Sequence, residues 1–230
     1  MANRAGPKIV TNSLVFCLDA INTRSYSGSG NTAYNTALTS AIGATKTAGL
    51  SHTTLNPPTF IAATASNYLL SDYTLASGTS FTVCMWFKRV GNSFWSALFG
   101  SEIWSSGTGY LAMLTGATSI SFGRGGLAEL TYSNAGFVSS NFNFYAFVKN
   151  PSGSNSFIYL NGMVVASGSI ADVAISRPFV FNSRWENNGT APSTGDSKES
   201  QFSQMLVYNR ALTNQEVLQN YNSTKKRYGF

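Results

Sequence analysis

Apolar and polar side chains alternate along many short stretches of this chain, which is the spacing expected of β-strands. The clearest stretch is residues 79–89, where every second residue from Phe81 to Phe87 is apolar and the other face is mixed. Residues 14–20 are apolar on both faces, which is typical of a strand that is covered on both sides. We therefore expect the strand of residues 14–20 to be a central strand of a sandwich.

Further strands are predicted between turns that are rich in Gly, Ser, Asn and Pro. They cover residues 59–63, 67–70, 96–101, 109–114, 119–124, 128–132, 142–149, 156–160, 163–167, 177–182 and 201–208. Asn161 and Gly162 join two of these strands, and the Asn-Gly pair favours a tight hairpin because both residues accept positive φ. Two polar segments, residues 21–58 and 183–200, are predicted to be loops.

The end of the chain predicts a helix from Thr213 to Tyr228. Thr213 and Glu216 form a capping-box pattern, in which each side chain can bond the backbone amide of the other residue. The helix is predicted to have one apolar face, made of Val217, Leu218 and Tyr221.

Many short strands followed by one terminal helix argue against a parallel α/β fold. The pattern predicts an all-β protein, a two-sheet antiparallel jelly-roll sandwich with a short C-terminal helix. No internal repeat or domain boundary is visible, so residues 1–230 are expected to form a single domain. This domain includes an N-terminal extension of about residues 1–13 and a long polar loop of about residues 21–58.

Charged residues make up 10% of the chain, against about 25% in typical proteins, and the net charge is +6. The basic residues are scattered, apart from Lys225, Lys226 and Arg227, which fit the last turn of the predicted helix and complement its dipole there. Nucleic-acid-binding proteins usually collect their basic residues on one stripe, so no nucleic-acid partner is expected. The excess of positive charge favours an acidic partner, or else reflects unpaired surface charges.

The first residues lack the apolar core of a signal peptide, and the apolar runs are shorter than the ~18 residues of a membrane span. We therefore expect a protein that is made in a reducing cytoplasm and has no membrane partner. Under these conditions Cys17 and Cys84 are expected to be buried free thiols. A disulfide between their two strands is the alternative.

Several aromatic residues fall near predicted strand ends or in loops, where exposed rings offer faces on which a sugar can stack. The candidate ligand-binding residues are these rings and two neighbouring amides: Trp95, Trp104, Tyr110, Trp185, Asn187 and Asn188. The alternative is that the rings close the ends of the core.

Three segments resemble the concanavalin A-like, laminin-G-like jelly-roll domains. They are residues 81–88 (FTVCMWFK), residues 144–148 with 158–162 (FYAFV and IYLNG), and residues 205–217 (MLVYNRALTNQEV). The last segment is the most specific of the three. The resemblance implies a lectin-like sandwich and agrees with the fold predicted from the strand pattern.

The two ends resemble a narrower group, the laminin-G-like proteins of tailed-phage virions. The matching segments are residues 6–15 (GPKIVTNSLV), 18–20 (LDA), 25–26 (SY) and 220–230 (NYNSTKKRYGF). This resemblance implies a non-enzymatic virion structural protein: a capsid decoration, a head fibre or a tail component. Its partners would be other virion proteins, and it would be homo-oligomeric or present in many copies on the particle. A glycan-binding module that recognises the host surface is the alternative function.

Hydrolases of the same fold family carry two or three carboxylates on one strand face, and a glucanase-type enzyme is the third reading of this chain. None of its nine acidic residues forms such a pair on a strand, and Glu216 is already assigned to helix capping. No catalytic residue is therefore predicted. The one histidine, His52, lies in the first polar segment and is expected to be exposed to solvent.

No metal site is predicted, because zinc needs closely spaced Cys and His ligands and the two cysteines have no such neighbours. Some members of the resembled family bind calcium through acidic residues that precede the Trp strand. The corresponding residues here, 60–62 and 66–69, contain none. Calcium bound by the loop around Asp196 is the alternative, although no carboxylate cluster supports it. No other cofactor is expected.

Overall fold

A computed structural model describes residues 8–37, 44–54, 56–64, 66–76, 80–90, 95–101, 107–125, 127–134, 139–186, 190–193 and 199–230. Within these ranges the chain forms sixteen strands, one α-helix and a closing 3-10 turn. The strands make two antiparallel sheets, so the predicted all-β sandwich with a short C-terminal helix is confirmed. No helix in the described ranges has the length and apolar character needed to cross a membrane.

The first sheet carries the most regular strands. Its order is β14 (Met163–Ser169), β13 (Asn155–Leu160), β12 (Asn143–Lys149), β7 (Phe81–Arg89), β16 (Ser200–Tyr208), β5 (Thr59–Ala62) and β4 (Ser51–Thr53), and β1 (Leu14–Asp19) also pairs with β16. Strand β1 is buried as predicted, but among the described residues it pairs only with β16, so it is not the central strand that was expected. Strand β7 flanks β16 on the other side.

The second sheet packs on the first. Its order is β11 (Leu130–Ser133), β10 (Ser119–Arg124), β9 (Tyr110–Thr115), β8 (Trp95–Gly100), β15 (Val180–Phe181), β6 (Tyr68–Leu70), β3 (Ala44–Ala48) and β2 (Thr32–Tyr34). Phe99, Phe122 and Phe179 from this side meet Phe81 and Phe147 of the first sheet in a dense cluster of rings. This cluster forms the centre of the main core.

Strand β7 is buried on both faces and therefore takes part in two separate cores. Phe81 and Phe87 point into the main core between the sheets. Cys84 and Trp86 point the other way, into a second cluster that the C-terminal helix covers. The Trp86 indole stacks on Tyr228 with 4.0 Å between ring centroids. At β7, the outer face of the first sheet is thus an interior surface.

The first polar segment differs from the prediction, because residues 21–58 contain strands β2, β3 and β4 in addition to loops. These strands are only three to five residues long and are built from Thr, Ala, Ser and a few others. β2 and β4 lie at the ends of their sheets, where one side has no further strand among the described residues. Edge strands bury little apolar surface, so they leave little hydrophobic signal in the sequence.

The predicted helix is observed as α1 (Asn214–Thr224) followed by a 3-10 turn (Lys225–Tyr228). The capping box is confirmed, since Thr213 Oγ1 accepts from the Glu216 amide and Glu216 Oε2 accepts from the Thr213 amide. The basic run is not in the last turn of α1, which holds no basic residue. It forms the 3-10 turn, where Arg227 Nη1 donates to Asp19 Oδ2 at 2.7 Å.

The buried face of α1 differs from the predicted apolar face. Its buried residues are Val217, Asn220 and Thr224, whereas Leu218 is 42% exposed. The two polar members are held by hydrogen bonds: Asn220 Oδ1 accepts from the Val10 amide at 2.8 Å, and Thr224 Oγ1 accepts from Trp86 Nε1 at 2.8 Å. The spacing of apolar residues in the sequence does not reveal such a face, because its polar side chains are buried only where they find hydrogen-bond partners.

We expect Trp86→Ala to lower the free energy of unfolding by about 3 to 5 kcal/mol, since it opens a cavity beneath the helix and removes the bond to Thr224. Trp95→Ala is the matched control. Because Trp95 is 45% exposed, its replacement should lower the free energy of unfolding by less than about 1 kcal/mol. Urea unfolding followed by far-ultraviolet circular dichroism measures both variants. Equal losses for the two variants would contradict the assignment of Trp86 to the second core.

Hydrogen bonds from Arg210, together with those from Thr213, lower the pKa of the Glu216 carboxyl to about 2. The pKa of Glu216 in the folded state lies below its ordinary value of 4.5. The ionised carboxylate therefore stabilises the folded protein fully above pH 4.5, and this stabilisation is lost as the pH falls through 2. Because Glu216 is partly exposed, the effect is small. We expect the free energy of unfolding of wild type to exceed that of Glu216→Gln by only about 1 kcal/mol near neutral pH.

This difference should shrink towards zero near pH 2, as measured by denaturant unfolding at a series of pH values. Arg210→Gln removes the partner of Glu216 and should reproduce the same trend. A difference between wild type and Glu216→Gln that stayed constant with pH would contradict the ion pair.

Candidate functional site

Tyr110 was predicted as a ring that contacts a ligand, but it lies in the main core and is 1% exposed. Its hydroxyl donates to the Ala171 carbonyl at 3.4 Å and accepts from the Val173 amide at 3.3 Å. Burial raises the pKa of Tyr110 to about 12. The ring closes one end of the core, and its prediction as an exposed stacking face is wrong.

Trp185 is also buried, at 6% exposure, and its prediction as an exposed ring is wrong too. Its Nε1 donates to the Pro178 carbonyl at 2.9 Å, and the Arg177 guanidinium lies over the ring at 5.5 Å. The backbone of Trp185 forms an isolated antiparallel bridge with Pro192. This bridge folds the second polar segment back on itself, which its polar composition does not reveal.

Three of the predicted ligand-binding residues, Trp104, Asn187 and Asn188, lie outside the described residues. The calcium alternative at Asp196 lies outside them as well. Within the described residues, no group of three or more His, Cys, Asp or Glu side chains comes close enough together to hold a metal ion.

Trp95 is the one predicted ring among the described residues that stays at the surface, with 45% of its area exposed. It is the first residue of β8 and lies on the outer face of the second sheet. We call the cavity beside it the Trp95 cavity. It has a volume of about 190 Å³ and is lined by Trp95, Leu111, Met113, Ser121, Gly123, Arg124, Leu127 and Ala128.

The alternation of strand β9 builds the floor of the Trp95 cavity. Ala112 and Leu114 point into the main core, so Leu111 and Met113 point outward and form a small apolar cluster with Ala97 of β8. Side chains on successive residues of a strand face opposite sides. The floor is therefore apolar even though it lies outside the sandwich.

Gly123 on β10 allows one wall of the Trp95 cavity to form. A Cβ at this position would lie 2.0 Å from the carbonyl oxygen of Leu127, so only glycine lets the turn approach so closely. The turn is closed by the Leu127 amide, which donates to the Arg124 carbonyl at 2.8 Å.

Arg124 supplies the polar rim of the cavity. Its Nε donates to Glu129 Oε1 at 3.2 Å, and its side chain is 35% exposed. Since a guanidinium carries five N–H donors in a rigid plane, Glu129 orients the group while leaving it able to donate to a bound molecule. An exposed indole beside an oriented guanidinium suits a ring-sized ligand with one apolar face and a polar edge.

A larger groove lies on the opposite side of the molecule, over the outer face of the first sheet. We call it the Asp19 groove. It has a volume of about 810 Å³ and is lined by Lys8, Ile9, Thr11, Leu14, Cys17, Asp19, Asn22, Arg24, Asn35, Thr36, Ala37, Gln204, Ser223, Thr224 and Arg227. No pattern in the sequence predicts this groove, because its walls come from the two ends of the chain.

Asp19 is the centre of the polar contacts in the groove. Its Oδ2 accepts from Arg227 Nη1 at 2.7 Å and from Gln204 Nε2 at 3.1 Å, and its Oδ1 accepts from the Ile21 amide at 3.1 Å. These contacts tie strand β1 to strand β16 and to the 3-10 turn.

His52 is not the exposed loop residue that was predicted. It lies on β4, partly buried between Tyr26 and Phe60, with ring centroids 5.0 Å and 5.6 Å from its own. Its Nε2 lies 2.9 Å from the Ala20 carbonyl oxygen. The ring packs against the core at the edge of the first sheet, which the polar neighbouring sequence conceals.

Both cysteines are buried free thiols, as expected, and the alternative of a disulfide between them is not formed. Burial raises the pKa of the Cys17 thiol to about 11 and that of Cys84 to about 12. Because the thiolate is the reactive form, neither group is suited to nucleophilic catalysis at neutral pH.

The described carboxylates include four that are ion-paired with a basic side chain. The pairs are Asp19 with Arg227, Glu129 with Arg124, Asp172 with Lys149 and Glu216 with Arg210. Lys149 is fully buried, and hydrogen bonds from it and from the Ser152 amide hold the pKa of Asp172 below its usual range. Each pair fixes a loop, turn or helix residue to a neighbouring element of the sandwich.

The family described as the concanavalin A-like lectin/glucanases superfamily matches residues 63–218. No curated protein matches the chain. Similar solved structures include the binding domain of Paraclostridial Mosquitocidal Protein 1, at 13% identity and a TM-score of 0.65, covering 93% of this chain and 52% of that one.

Another similar structure is the Trypanosoma rangeli sialidase in complex with sialic acid, at 10% identity and a TM-score of 0.68, covering 96% of this chain and 35% of that one. A third is botulinum neurotoxin type C, described as dependent upon interaction with two ganglioside molecules to enter cells. It has 14% identity and a TM-score of 0.63, covering 93% of this chain and 52% of that one.

The chain spans about half or less of the length of these structures, and identities this low establish a shared fold alone. The family match covers more than half of the chain. The protein therefore belongs to the concanavalin A-like lectin/glucanases superfamily.

Proposed function

We propose that this protein is a non-catalytic, lectin-like domain that binds glycans at the Trp95 cavity. The observation that carries the proposal is the exposed Trp95 ring over an apolar floor with the Arg124 guanidinium at the rim. An indole stacks on the apolar face of a sugar ring, while a guanidinium donates to its hydroxyls. The cavity is smaller than the ~300 to 1,000 Å³ of drug-sized sites, so one sugar ring is the unit that it accepts.

The similar structures support the class of ligand. The sialidase is a complex with sialic acid, and the type C neurotoxin is described as interacting with gangliosides. Both are glycan-related molecules, although each of those chains is about twice as long as this one or longer. The choice of the Trp95 cavity rests on the geometry of this chain and not on those structures.

A non-catalytic role is favoured by the state of the carboxylates. Glycoside hydrolysis uses two carboxyl groups that flank the scissile bond at a separation of about 5 to 9.5 Å. Four of the described acidic residues are instead held in ion pairs with Lys or Arg. Glu216 also caps the helix. We therefore propose binding without turnover.

Trp95→Ala should weaken glycan binding by about fivefold or more, because loss of an aromatic contact costs about 1 kcal/mol. Wild type and variant are compared on a glycan array, and the best ligand is then titrated by calorimetry. Tyr34→Ala is the matched control, since Tyr34 is 53% exposed on the edge strand β2 and lines neither cavity. Unchanged binding in Trp95→Ala would contradict the proposed site.

A second proposal, that the protein is a virion structural component, comes from the terminal segments that resemble tailed-phage virion proteins. In the structure these segments pack against each other. The Val10 amide donates to Asn220 Oδ1 at 2.8 Å, Tyr208 Oη donates to the Val10 carbonyl at 2.9 Å, and Gln219 Nε2 donates to the Lys8 carbonyl at 2.8 Å. The resemblance therefore concerns segments that are neighbours in the fold. Their exposed residues, such as Lys226 and Arg227, are available to contact other virion proteins or further copies of this chain.

If the protein is a virion component made in the host cytoplasm, it should copurify with particles through a density gradient in many copies per particle. Quantitative mass spectrometry of the gradient fractions measures the ratio of this chain to the major capsid protein. Recovery of the chain only in the soluble fractions, away from the particles, would argue against this proposal and leave the glycan-binding proposal standing.

A further inference from the structure

We infer that the Asp19 groove is a second binding site, which takes an acidic saccharide, a sugar that carries a carboxylate or a sulfate. The inference rests on the proposed glycan-binding function for the class of ligand, and it uses residues that the Trp95 cavity does not contain. The groove volume of about 810 Å³ falls within the ~300 to 1,000 Å³ of typical ligand sites.

The walls of the groove are fixed by hydrogen bonds and do not depend on a ligand. On one side, Asn35 Oδ1 accepts from the Cys17 amide at 2.8 Å and Asn35 Nδ2 donates to the Val15 carbonyl at 2.9 Å. These bonds hold residues 35–37 along strand β1. On another side, the Lys8 carbonyl accepts from Gln219 Nε2 at 2.8 Å. The groove is therefore preformed.

The charges of the groove favour an anion. It is lined by three basic residues, Lys8, Arg24 and Arg227, against one acidic residue, Asp19. Arg227 already neutralises Asp19 at 2.7 Å. Within the described part of the chain, Lys8 and Arg24 have no carboxylate within ion-pair distance. Both cations are exposed and remain available to an incoming carboxylate or sulfate.

Gln204 adds an unmet acceptor to the same place. The residue is 3% exposed, and its Nε2 donates to Asp19 Oδ2 at 3.1 Å, which sets the orientation of the amide. Its Oε1 is buried and has no donor among the described residues. A buried acceptor without a donor is unfavourable, so the amide is a strained point in the wall of the groove.

Two hydroxyl groups in the groove are arranged to accept from a sugar. Thr36 Oγ1 donates to the Cys17 carbonyl at 3.2 Å, and Ser223 Oγ donates to the Asn220 carbonyl at 2.7 Å. Because each proton is directed at a backbone carbonyl, the remaining lone pairs of the oxygens can accept from ligand hydroxyls. Cations for an acidic group together with acceptors for hydroxyls match an acidic saccharide better than a simple anion.

The test compares 3′-sialyllactose, 3′-sulfolactose and lactose as ligands of the full chain, titrated by calorimetry at 50 mM and 500 mM NaCl. We expect the two acidic sugars to bind at least tenfold more tightly than lactose at low salt, and the difference to shrink at high salt. Arg24→Ala should reduce this preference by about tenfold. Lys226→Ala removes the same charge from an exposed residue outside the groove and should leave the preference unchanged.

Equal affinity for lactose and the acidic sugars, absence of binding, or an unchanged preference in Arg24→Ala would overturn the inference. Binding of poly-glutamate that depends on Arg24, without binding of any sugar, would also overturn it and indicate an acidic peptide as the ligand. Trp95→Ala separates the two sites. If it abolishes sugar binding while Arg24→Ala does not, the groove inference fails and the Trp95 proposal stands; the opposite result supports the groove alone.

Discussion

Burial of strand β7 on both faces is the constraint on which the rest of the structure depends. Its inward residues join the rings of the second sheet, so the sandwich must close on that side. Its outward residues include Trp86, a large ring that cannot be left in water without losing about 2 to 3 kcal/mol of burial. The C-terminal helix and the N-terminal segment meet this second requirement, and the Asp19 groove lies where their cover ends.

The fold was predictable because its long strands carry a strong signal. The apolar alternation of residues 81–89 and the Thr213–Glu216 capping box are local patterns, and both appear in the structure as expected. The short strands of residues 21–58 were not predictable, since edge strands of Thr, Ala and Ser bury too little apolar surface to leave a pattern. The helix face was missed in part because Asn220 is buried through hydrogen bonds.

The candidate sites were less predictable than the fold, for a different physical reason. An aromatic residue near a strand end has the same local sequence whether it closes the core or stands in solvent. Tyr110 is buried against Ala171, 61 positions away, whereas Trp95 begins its strand on the outer face. Trp185 is buried because its indole turns back to bond the Pro178 carbonyl. The Asp19 groove joins residues that are about 200 positions apart, as the Asp19–Arg227 pair illustrates. Only the three-dimensional structure can bring such residues together.

The interlocked ends of the chain have a practical consequence. Val10 and Asn220 meet on the outer face of the first sheet, while Trp95 lies on the outer face of the second. An affinity tag or surface linker attached to Phe230 therefore leaves from the outer face of the first sheet, where the Phe230 ring lies 5.7 Å from that of Trp86. A sensor chip loaded in this way presents the indole of Trp95 to the flowing sample, but it places the groove next to the chip. Capture through a side chain on the second sheet reverses this orientation, so the geometry of immobilisation decides which face of the molecule is assayed.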